Sequence, residues 1–338
     1  MGSVPGVAIL GAGIFTTSQY LPILSNQSST APILKAIWSR SKDAAENAAS
    51  SVAKFFPDVV AKWGEDGLIQ ILEDSSIHAV AIVLPAQVQV FKRYSISLRA
   101  LKSGKHVLQA LSDVRDVLSY HSGMGSQAPV WAVAENYRFE PGLIEAARLV
   151  KSIGDMMSFE VIVELPMNSS NPYYSSAWRR DVAFTWQGGF VLDGGVHFVA
   201  GLRLITGCEV TQVSAIARHV DPLLPSPDNV SALLWRVLGS KGTVEAVRDQ
   251  KDGSHGYLVT FYPLGGTVLS KFFPFSGVEN ELKAFVGDVS QIVYEVNESA
   301  DKRSNFIEAY HDVAVIEAML KSSNNKGFPV HVDRYEEI

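Results

Sequence analysis

The sequence contains a single cysteine, Cys208, among its 338 residues. One thiol excludes an internal disulfide and a metal site built from several thiolates, and it is typical of a reducing compartment. Long apolar runs are also missing, since none reaches the roughly 18 uninterrupted residues of a membrane-spanning helix. The first residues, MGSVPGVAIL, carry no charged stretch and no cleavage site. We therefore expect no signal peptide, no membrane association and a cytosolic location.

Positive charge is scarce as well. The chain has 29 Lys and Arg against 35 Asp and Glu, a formal net charge of −6, and no long basic run. Nucleic-acid binding needs a basic face that neutralises phosphates, so we expect no nucleic-acid partner. The chain is 47% hydrophobic and 19% charged, which is typical of a globular protein. Its length predicts two domains.

The first half of the sequence alternates short apolar segments with helical ones. Strands are predicted at 6–10, 33–38, 79–84, 106–108 and 130–134, and helices at 43–54, 66–73 and 87–102. Uniformly apolar short strands joined by helices indicate a parallel sheet that is covered on both faces. We therefore predict a doubly wound α/β domain over residues 1–134.

A glycine-rich turn, Gly11-Ala12-Gly13, lies directly between the first strand and a helix. There the first glycine permits a tight turn, and the second lets the backbone approach a pyrophosphate at the helix N-terminus. Thr16 occupies the third glycine position of the G-x-G-x-x-G motif, and a plain strand-to-helix turn is the alternative. We predict a Rossmann-type dinucleotide site whose cofactor contacts include Gly11, Gly13, Ile14 and Phe15.

The end of the second strand indicates which dinucleotide binds. ILKAIW is followed by Ser39 and Arg40, and no carboxylate occurs before Asp43. NAD sites place an acidic residue here for the ribose 2′-hydroxyl, whereas a guanidinium suits a 2′-phosphate. We predict that Ser39 and Arg40 select NADP, with NAD the less favoured cofactor. The alternative is a solvated basic turn.

The second half has a different pattern, with long strands predicted at 154–165, 209–220, 229–238, 243–249 and 256–262. Its predicted helices lie at 141–152, 196–206, 281–295 and 305–322. Long strands joined by glycine-rich turns predict a second α/β domain over 135–338, with a large, open, mostly antiparallel sheet. The 305–322 helix is a candidate to pack back on the first domain. One face of this sheet needs a cover, and a partner subunit is the simplest one. We therefore predict a homodimer or homotetramer.

A possible acid/base pair lies at Asp193 and His197, four residues apart across Gly194-Gly195. The segment from Val196 onward is amphipathic, so both groups are predicted at the start of one helix. A histidine at a helix N-terminus tends to stay neutral and can act as a base. The alternative is a structural hydrogen bond. The glycines favour the site, because they let a ligand approach closely.

Four segments together resemble the Gfo/Idh/MocA oxidoreductases, the family of glucose–fructose oxidoreductase and inositol dehydrogenase. They are GVAILGAGIFTTSQYLPIL, GKHVL, AENYRFEP and GGFVLDGGVHFVAGLR. The resemblance covers nearly the whole chain, and the amino-acid sequence of the motifs is most similar to a fungal and plant branch of the family. It implies a Rossmann domain followed by an α/β domain whose open sheet is commonly buried in a dimer or tetramer.

The resemblance also implies residue roles. His197 matches the family acid/base, and Asp193 matches the aspartate that orients substrate and histidine. Asn136 and Arg138 match residues near the nicotinamide and the substrate. The expected cofactor contacts also include Leu84, Pro85 and Gln109, and the expected substrate contacts are Tyr137, Arg138, Trp178 and Arg179. These polar and aromatic groups suggest a polyhydroxylated or carbonyl substrate, although Arg179 could instead only pair with Asp181.

One family feature is missing. The family continues GKHVL with a Glu-Lys-Pro loop whose lysine bonds the reacting oxygen, whereas this chain has Gln109, Ala110 and Leu111. The Cα of Lys105 lies about 13 Å from that of Gln109 along the strand, so Lys105 cannot take the place of the missing lysine. Three explanations remain. The first is a reductase in which His197 alone transfers the proton, at a rate about 10²–10³-fold lower than with the lysine. The other two are an NADP-binding protein that has lost hydride transfer and a shortened transcript. We favour the first because His197, Asp193, Asn136 and Arg138 remain.

Overall fold

The computed structural model describes residues 4–26, 32–84, 90–91, 94–110, 120–121, 123–125, 128–165, 189–216, 230–294 and 300–335. The chain forms two compact units. The first comprises Met1–Ala134 and Val278–Phe306, and the second comprises Glu135–Gly277 and Ile307–Ile338. Within the described ranges, no helix has the length and apolar character needed to cross a membrane.

The first unit is built on a six-stranded parallel sheet in the order β3-β2-β1-β4-β7-β8. These strands are β1 (Gly6–Leu10), β2 (Ile33–Ser39), β3 (Val60–Trp63), β4 (Ala79–Ile82), β7 (His106–Gln109) and β8 (Trp131–Val133), and β5 (Val90–Phe91) with β6 (Tyr94–Ser95) forms a separate short hairpin. The helices are α1 (Leu21–Asn26), α2 (Lys42–Val52), α3 (Gly64–Glu73) and α4 (Ile96–Lys102). The predicted doubly wound parallel sheet is confirmed.

Both faces of this sheet are buried, which explains why its strands are uniformly apolar. On one face Ile9 and Ile37 lie in one apolar cluster, and on the other Leu10 and Trp38 lie in a second. The edge strand β3 has no fully buried residue. Its sequence therefore lacked the apolar run by which the other strands were predicted, and it was missed.

A helix from late in the chain completes this core. Helix α7 (Gly277–Tyr294) places Leu282, Phe285 and Val289 in the same cluster as Ile9. The sequence placed all of 135–338 in the second domain, whereas Val278–Phe306 belongs to the first unit. The physical reason is that its apolar side chains add to the cover of one face of the parallel sheet.

The second unit contains a five-stranded antiparallel sheet in the order β14-β13-β12-β11-β9. Its strands are β9 (Met156–Leu165), β11 (Val230–Gly239), β12 (Gly242–Lys251), β13 (Ser254–Pro263) and β14 (Leu269–Pro274). The predicted strand at 209–220 is reduced, among its described residues, to β10 (Gln212–Val213), which pairs with β15 (Val330–His331). The predicted mostly antiparallel sheet is confirmed.

Helices α5 (Pro141–Val150), α6 (Gly189–Thr206) and α8 (Phe306–Asn324) complete the list of helices. Leu143 of α5 and Phe198 of α6 pack with Trp235 and Tyr257 in the core of the second unit. A Cβ on Gly201 would lie 3.2 Å from the Trp235 ring, so the glycine lets α6 approach the sheet closely. This packing holds the helix that carries His197.

Candidate functional site

The carboxyl ends of the parallel strands meet at one edge of the first unit. Leu10 pairs with Trp38 on one side and Ile82 on the other, and Ile82 pairs with Gln109. The chain leaves β1 towards β2 and β3 on one side and towards β4, β7 and β8 on the other. Such a switch in strand order is where open α/β sheets bind ligands.

The glycine-rich turn stands at this edge. Gly11 has φ +131°, and a Cβ there would lie 2.2 Å from the Val83 carbonyl oxygen, so only glycine fits. A Cβ on Gly13 would meet nothing within 4 Å, which leaves room for a ligand at the backbone. Thr16, in the third glycine position, is buried and donates its hydroxyl proton to the Gly11 carbonyl at 2.7 Å.

The residues that open the following helix divide between surface and core. Ile14 is exposed, whereas Phe15 packs edge-to-face on Tyr20, with 5.3 Å between ring centroids. The helix continues through a π-helical turn at Thr16–Tyr20 into α1. The exposed backbone at Gly13 and the start of a helix fit the pyrophosphate of a dinucleotide.

The end of β2 carries the residues predicted to select the cofactor. Ser39 pairs with Trp63 of β3, and its hydroxyl accepts a hydrogen bond from the Ser41 amide at 3.3 Å. Arg40 is exposed, and no carboxylate among the described residues forms a salt bridge with it. A solvent-facing guanidinium beside a serine hydroxyl fits an anionic ligand such as a 2′-phosphate.

Two further expected contacts, Leu84 and Gln109, lie at or just beyond this edge. Leu84 follows β4, and its Cδ2 lies 3.1 Å from the position of a Cβ on Gly11. Gln109 is fully buried, and its carbonyl accepts from the Ala134 amide at 2.7 Å. Pro85 lies outside the described residues. Lys105 lies before the first residue of β7 and donates to the carbonyls of Asp74 (2.7 Å) and Ile77 (2.8 Å), so it is held away from the carboxyl edge.

In the second unit, His197 is paired with Glu135. The imidazole Nδ1 lies 2.8 Å from Oε1 and 2.9 Å from Oε2 of Glu135. The Glu135 side chain is 5% exposed and that of His197 is 34% exposed. Tyr137 stacks on the imidazole, with 5.0 Å between centroids and 16° between planes. The result is a half-exposed histidine on a buried carboxylate and an aromatic platform.

The surroundings of Glu135 keep it ionised. Burial raises the pKa of its carboxyl, but His197, the Arg138 guanidinium and the Tyr137 amide together outweigh that effect. The net pKa lies below the ordinary value of a glutamate. A carboxylate in this state accepts the Nδ1–H bond and leaves Nε2 as the ring nitrogen that can exchange a proton with a ligand.

Arg138 and Tyr137, which were predicted to contact substrate, both lie next to the Glu135–His197 pair. The Arg138 guanidinium forms a buried salt bridge with Asp312 and donates to the Glu308 carbonyl at 3.2 Å. Arg203 binds the other Asp312 oxygen at 2.7 Å. Burial raises the pKa of Tyr137 to about 12, so its hydroxyl stays protonated at neutral pH. The guanidinium of Arg138 is therefore held in a buried ion pair, and the Tyr137 ring lies against the imidazole of His197.

The predicted position of Asp193 and His197 at the start of a helix needs a correction. Helix α6 begins at Gly189, so His197 lies about two turns inside the helix and the helix N-terminus does not explain its state. Asp193 lies one turn earlier in the same helix, and its side chain is outside the described residues, as are Trp178 and Arg179. Asn136 opens a 3₁₀ turn (Asn136–Phe139), and its carbonyl packs against Gly277.

Sequence reasoning missed Glu135 as the partner of His197. The two residues are 62 positions apart, so no local spacing connects them. The one available signal was the acidic residue in AENYRFEP, directly after the last strand of the first unit and before Asn136.

Comparison with known proteins defines the class to which this fold and site belong. Residues 6–110 match the Gfo/Idh/MocA oxidoreductase family with its NAD-binding Rossmann fold, and residues 144–261 match the Gfo/Idh/MocA C-terminal domain. Dehydrogenase FPY6 of Fusarium mangiferae is 30% identical over 94% of this chain and 96% of its own. The chain belongs to the Gfo/Idh/MocA oxidoreductase family.

Two solved structures share the whole fold. An oxidoreductase from Thermotoga maritima has a TM-score of 0.75 at 24% identity, and the match covers 98% of this chain and 99% of the other. A levoglucosan dehydrogenase in complex with NADH and levoglucosan has a TM-score of 0.74 at 17% identity, covering 98% and 100%. At these identities the likeness shows the fold alone.

Proposed function

We propose that the protein is an NADP-dependent oxidoreductase that interconverts a hydroxyl and a carbonyl group of a small polyhydroxylated substrate. The observation that carries the proposal is the half-exposed imidazole of His197 on the ionised carboxylate of Glu135. In an oxidoreductase family with a dinucleotide-binding fold, such a group is suited to move the proton of the reacting oxygen.

The chemistry divides between the cofactor, which handles the hydride, and the Glu135–His197 pair, which handles the proton. The cofactor supplies a hydride donor or acceptor. In the oxidative direction Nε2 of His197 takes the hydroxyl proton, and in the reductive direction it returns a proton to the carbonyl oxygen. Glu135 stabilises the imidazolium that exists between these events without giving up its own charge.

The cofactor preference rests on residues of this chain. Ser39 and Arg40 end β2, where Arg40 has no ion-pair partner among the described carboxylates. The levoglucosan dehydrogenase binds NADH, so fold similarity does not choose between the two dinucleotides. The preference for NADP therefore rests on the Arg40 guanidinium, which suits a 2′-phosphate.

The substrate class follows from family membership and from the levoglucosan dehydrogenase, whose ligand is a sugar derivative. A polyol or sugar would present several hydroxyls near His197. The segment 166–188, with Trp178 and Arg179, remains the sequence-based candidate for recognising them. A cytosolic location also remains a prediction from sequence.

We further propose that the open face of the antiparallel sheet forms a homo-oligomer interface. The face opposite Trp235 carries one apolar row across all five strands: Ile162, Leu234, Val247, Leu258 and Phe272. Beside it Arg236 bonds Glu160 at 3.0 Å and Glu245 at 2.6 Å, which neutralises charge within the face. Leu238 and Tyr262, both 41% exposed, extend the apolar surface.

The most informative experiment is a panel of sugars, polyols and small aldehydes assayed in both directions with NADPH/NADP and NADH/NAD. We expect turnover of at least one polyhydroxylated substrate, and we expect His197→Ala to lower kcat by at least 10²-fold because it removes the proton carrier. His255→Ala, a change at an exposed histidine in the second unit, is the matched control. Tight NADPH binding with no turnover of any panel member would favour the non-catalytic binding protein instead.

A further inference from the structure

We infer that Glu135 is the positioning residue that fixes the tautomer and the charge of His197. This inference rests on the proposed role of His197 as the acid/base. It adds a residue that sequence reasoning did not assign, and it indicates where positive charge near the reacting oxygen comes from when the lysine of the Glu-Lys-Pro loop is absent.

The first step is geometric. Both carboxylate oxygens of Glu135 lie within 2.9 Å of Nδ1 of His197. An ionised carboxylate can only accept, so Nδ1 carries a proton and donates it. The same carboxylate also accepts from the Tyr137 amide at 3.2 Å, which anchors it to the turn that it begins. The tautomer of His197 is therefore set by a group that is itself held by backbone.

The second step concerns the orientation of the ring. The bond to Glu135 holds the imidazole at one edge, and the Tyr137 ring stacked at 16° holds it over one face. Phe198 contacts the Tyr137 ring edge-to-face at 5.9 Å, and Trp235 does so at 6.2 Å, so the platform belongs to the core of the unit. Two constraints in perpendicular directions leave the imidazole one orientation, with Nε2 on the side away from Glu135.

The third step is electrostatic. Among the residues that the structure describes, the charged groups around Glu135 are His197, Arg138 and, behind Arg138, Asp312. The Arg138 guanidinium also forms a salt bridge with Asp312, which is itself paired with Arg203. Because Arg138 is divided between two carboxylates, it does not neutralise the charge of Glu135 completely. The remaining negative charge stabilises the imidazolium form of His197.

The consequence bears on the missing lysine. In the reductive direction an imidazolium carries both the proton for the carbonyl oxygen and a positive charge beside it. His197, charged with the help of Glu135, thereby supplies in one group what the family divides between histidine and lysine. The proton leaves from Nε2, while Nδ1 keeps its bond to Glu135, which remains ionised throughout.

Titration of His197 in the protein without cofactor tests the inference directly. The ring nitrogens are followed by NMR between pH 5 and pH 9, and the His197 signals are assigned by their loss in His197→Ala. Glu135→Gln keeps a hydrogen-bond acceptor but removes the charge, so we expect its titration midpoint to fall by about 1–3 pH units. Glu135→Asp keeps the charge on a shorter side chain, and we expect a smaller fall and a partly restored Nδ1–H signal.

Two further variants separate the alternatives. Asp193→Asn tests the sequence-based alternative, in which the aspartate four residues earlier is the partner of His197. Glu140→Gln is the matched control for a buried carboxylate. The Gly277 amide donates to one Glu140 oxygen at 3.0 Å and the Ser276 amide donates to the other at 3.3 Å. Glutamine keeps one acceptor oxygen for the Gly277 amide, and since Glu140 does not bond His197, this variant should titrate like the wild type. An unchanged midpoint in Glu135→Gln, or a fall in Asp193→Asn alone, would overturn the inference.

With an active substrate, the pH profile supplies a second readout. The limb of the kcat profile that reports His197 should move to lower pH in Glu135→Gln, with KM changed less than kcat. If no substrate on the panel turns over, the proposed function fails while the NMR titration still decides the role of Glu135. If turnover is normal but the titration midpoint does not move, only the inference about Glu135 fails.

Discussion

Thr16 stands where a dinucleotide motif has its third glycine. Its buried hydroxyl donates to the Gly11 carbonyl at 2.7 Å, so the side chain stabilises the tight turn from within. Gly11 and Gly13 cannot be replaced in this way. The first needs a positive φ, and the second leaves space where a ligand approaches. At the residue scale, the departure from the motif therefore falls at the position that least affects ligand access.

Arg40 is the residue on which the predicted cofactor preference depends. Arg40→Ala should weaken NADPH binding by about 1.5–3 kcal/mol, the usual effect of losing a charged hydrogen bond. NADH has no 2′-phosphate, so its affinity should stay nearly unchanged and serves as the internal control. Fluorescence titration of both nucleotides checks this. Equal affinity of the wild type for NADPH and NADH would contradict the assignment of Ser39 and Arg40.

Neighbouring strands of the first unit are joined at their amino ends by side chains as well as by backbone. Nδ1 of His106 accepts from the Val130 amide at 2.8 Å, next to the bond from the Val107 amide to the Val130 carbonyl. Nδ1 of His78 accepts in the same way from the Gly6 amide at 3.1 Å. Both contacts require a ring nitrogen without a proton.

The His106 contact makes the β7–β8 pairing sensitive to acid. Burial lowers the pKa of His106 to about 4. An unfolded histidine titrates near 6.5, so between these values the unfolded chain binds a proton that the native state excludes. The stabilising contribution is complete above about pH 6.5 and is lost as the pH falls towards 4, by about 3 kcal/mol in total.

His106→Asn tests this dependence. Asparagine supplies a carbonyl acceptor for the Val130 amide and does not titrate, so the loss of stability between pH 7 and pH 4.5 should become shallower. Urea unfolding across this range measures it, with His255→Asn as the control at an exposed site. Parallel pH profiles for the wild type and His106→Asn would show that the strand contact does not carry the acid sensitivity.

At the scale of the whole molecule, the two sheets differ in how many of their faces are covered. The parallel sheet is covered on both faces, partly by α7, which returns to it from beyond residue 277. In the antiparallel sheet Trp235 and Val259 are buried, whereas Leu238 on the opposite face is 41% exposed. This exposed apolar side chain belongs to the face that we propose as the association surface.

Leu238→Asp tests the association of subunits through that face. A carboxylate within a buried apolar interface costs several kcal/mol, so we expect the mass measured by light scattering to fall towards that of the monomer. Val60→Asp changes a similarly exposed apolar residue on the edge strand β3 and should leave the mass unchanged. A wild-type protein that is already monomeric would overturn the proposed interface.

The sequence by itself determined the elements whose signals are local. Mostly apolar runs of three to six residues marked five of the six parallel strands, because strands buried on both faces need apolar residues at most positions. The glycines at 11 and 13 marked the turn, since backbone geometry depends on the residue in place. The acid/base candidate His197 also came from the sequence, through its resemblance to a family.

The tertiary structure decided what depends on contacts between distant parts of the chain. It placed α7 in the core of the first unit, because one face of that sheet needs an apolar cover. It buried Arg138 against Asp312. It also brought Glu135 to His197 across 62 positions, because a hydrogen bond requires closeness in space rather than in sequence.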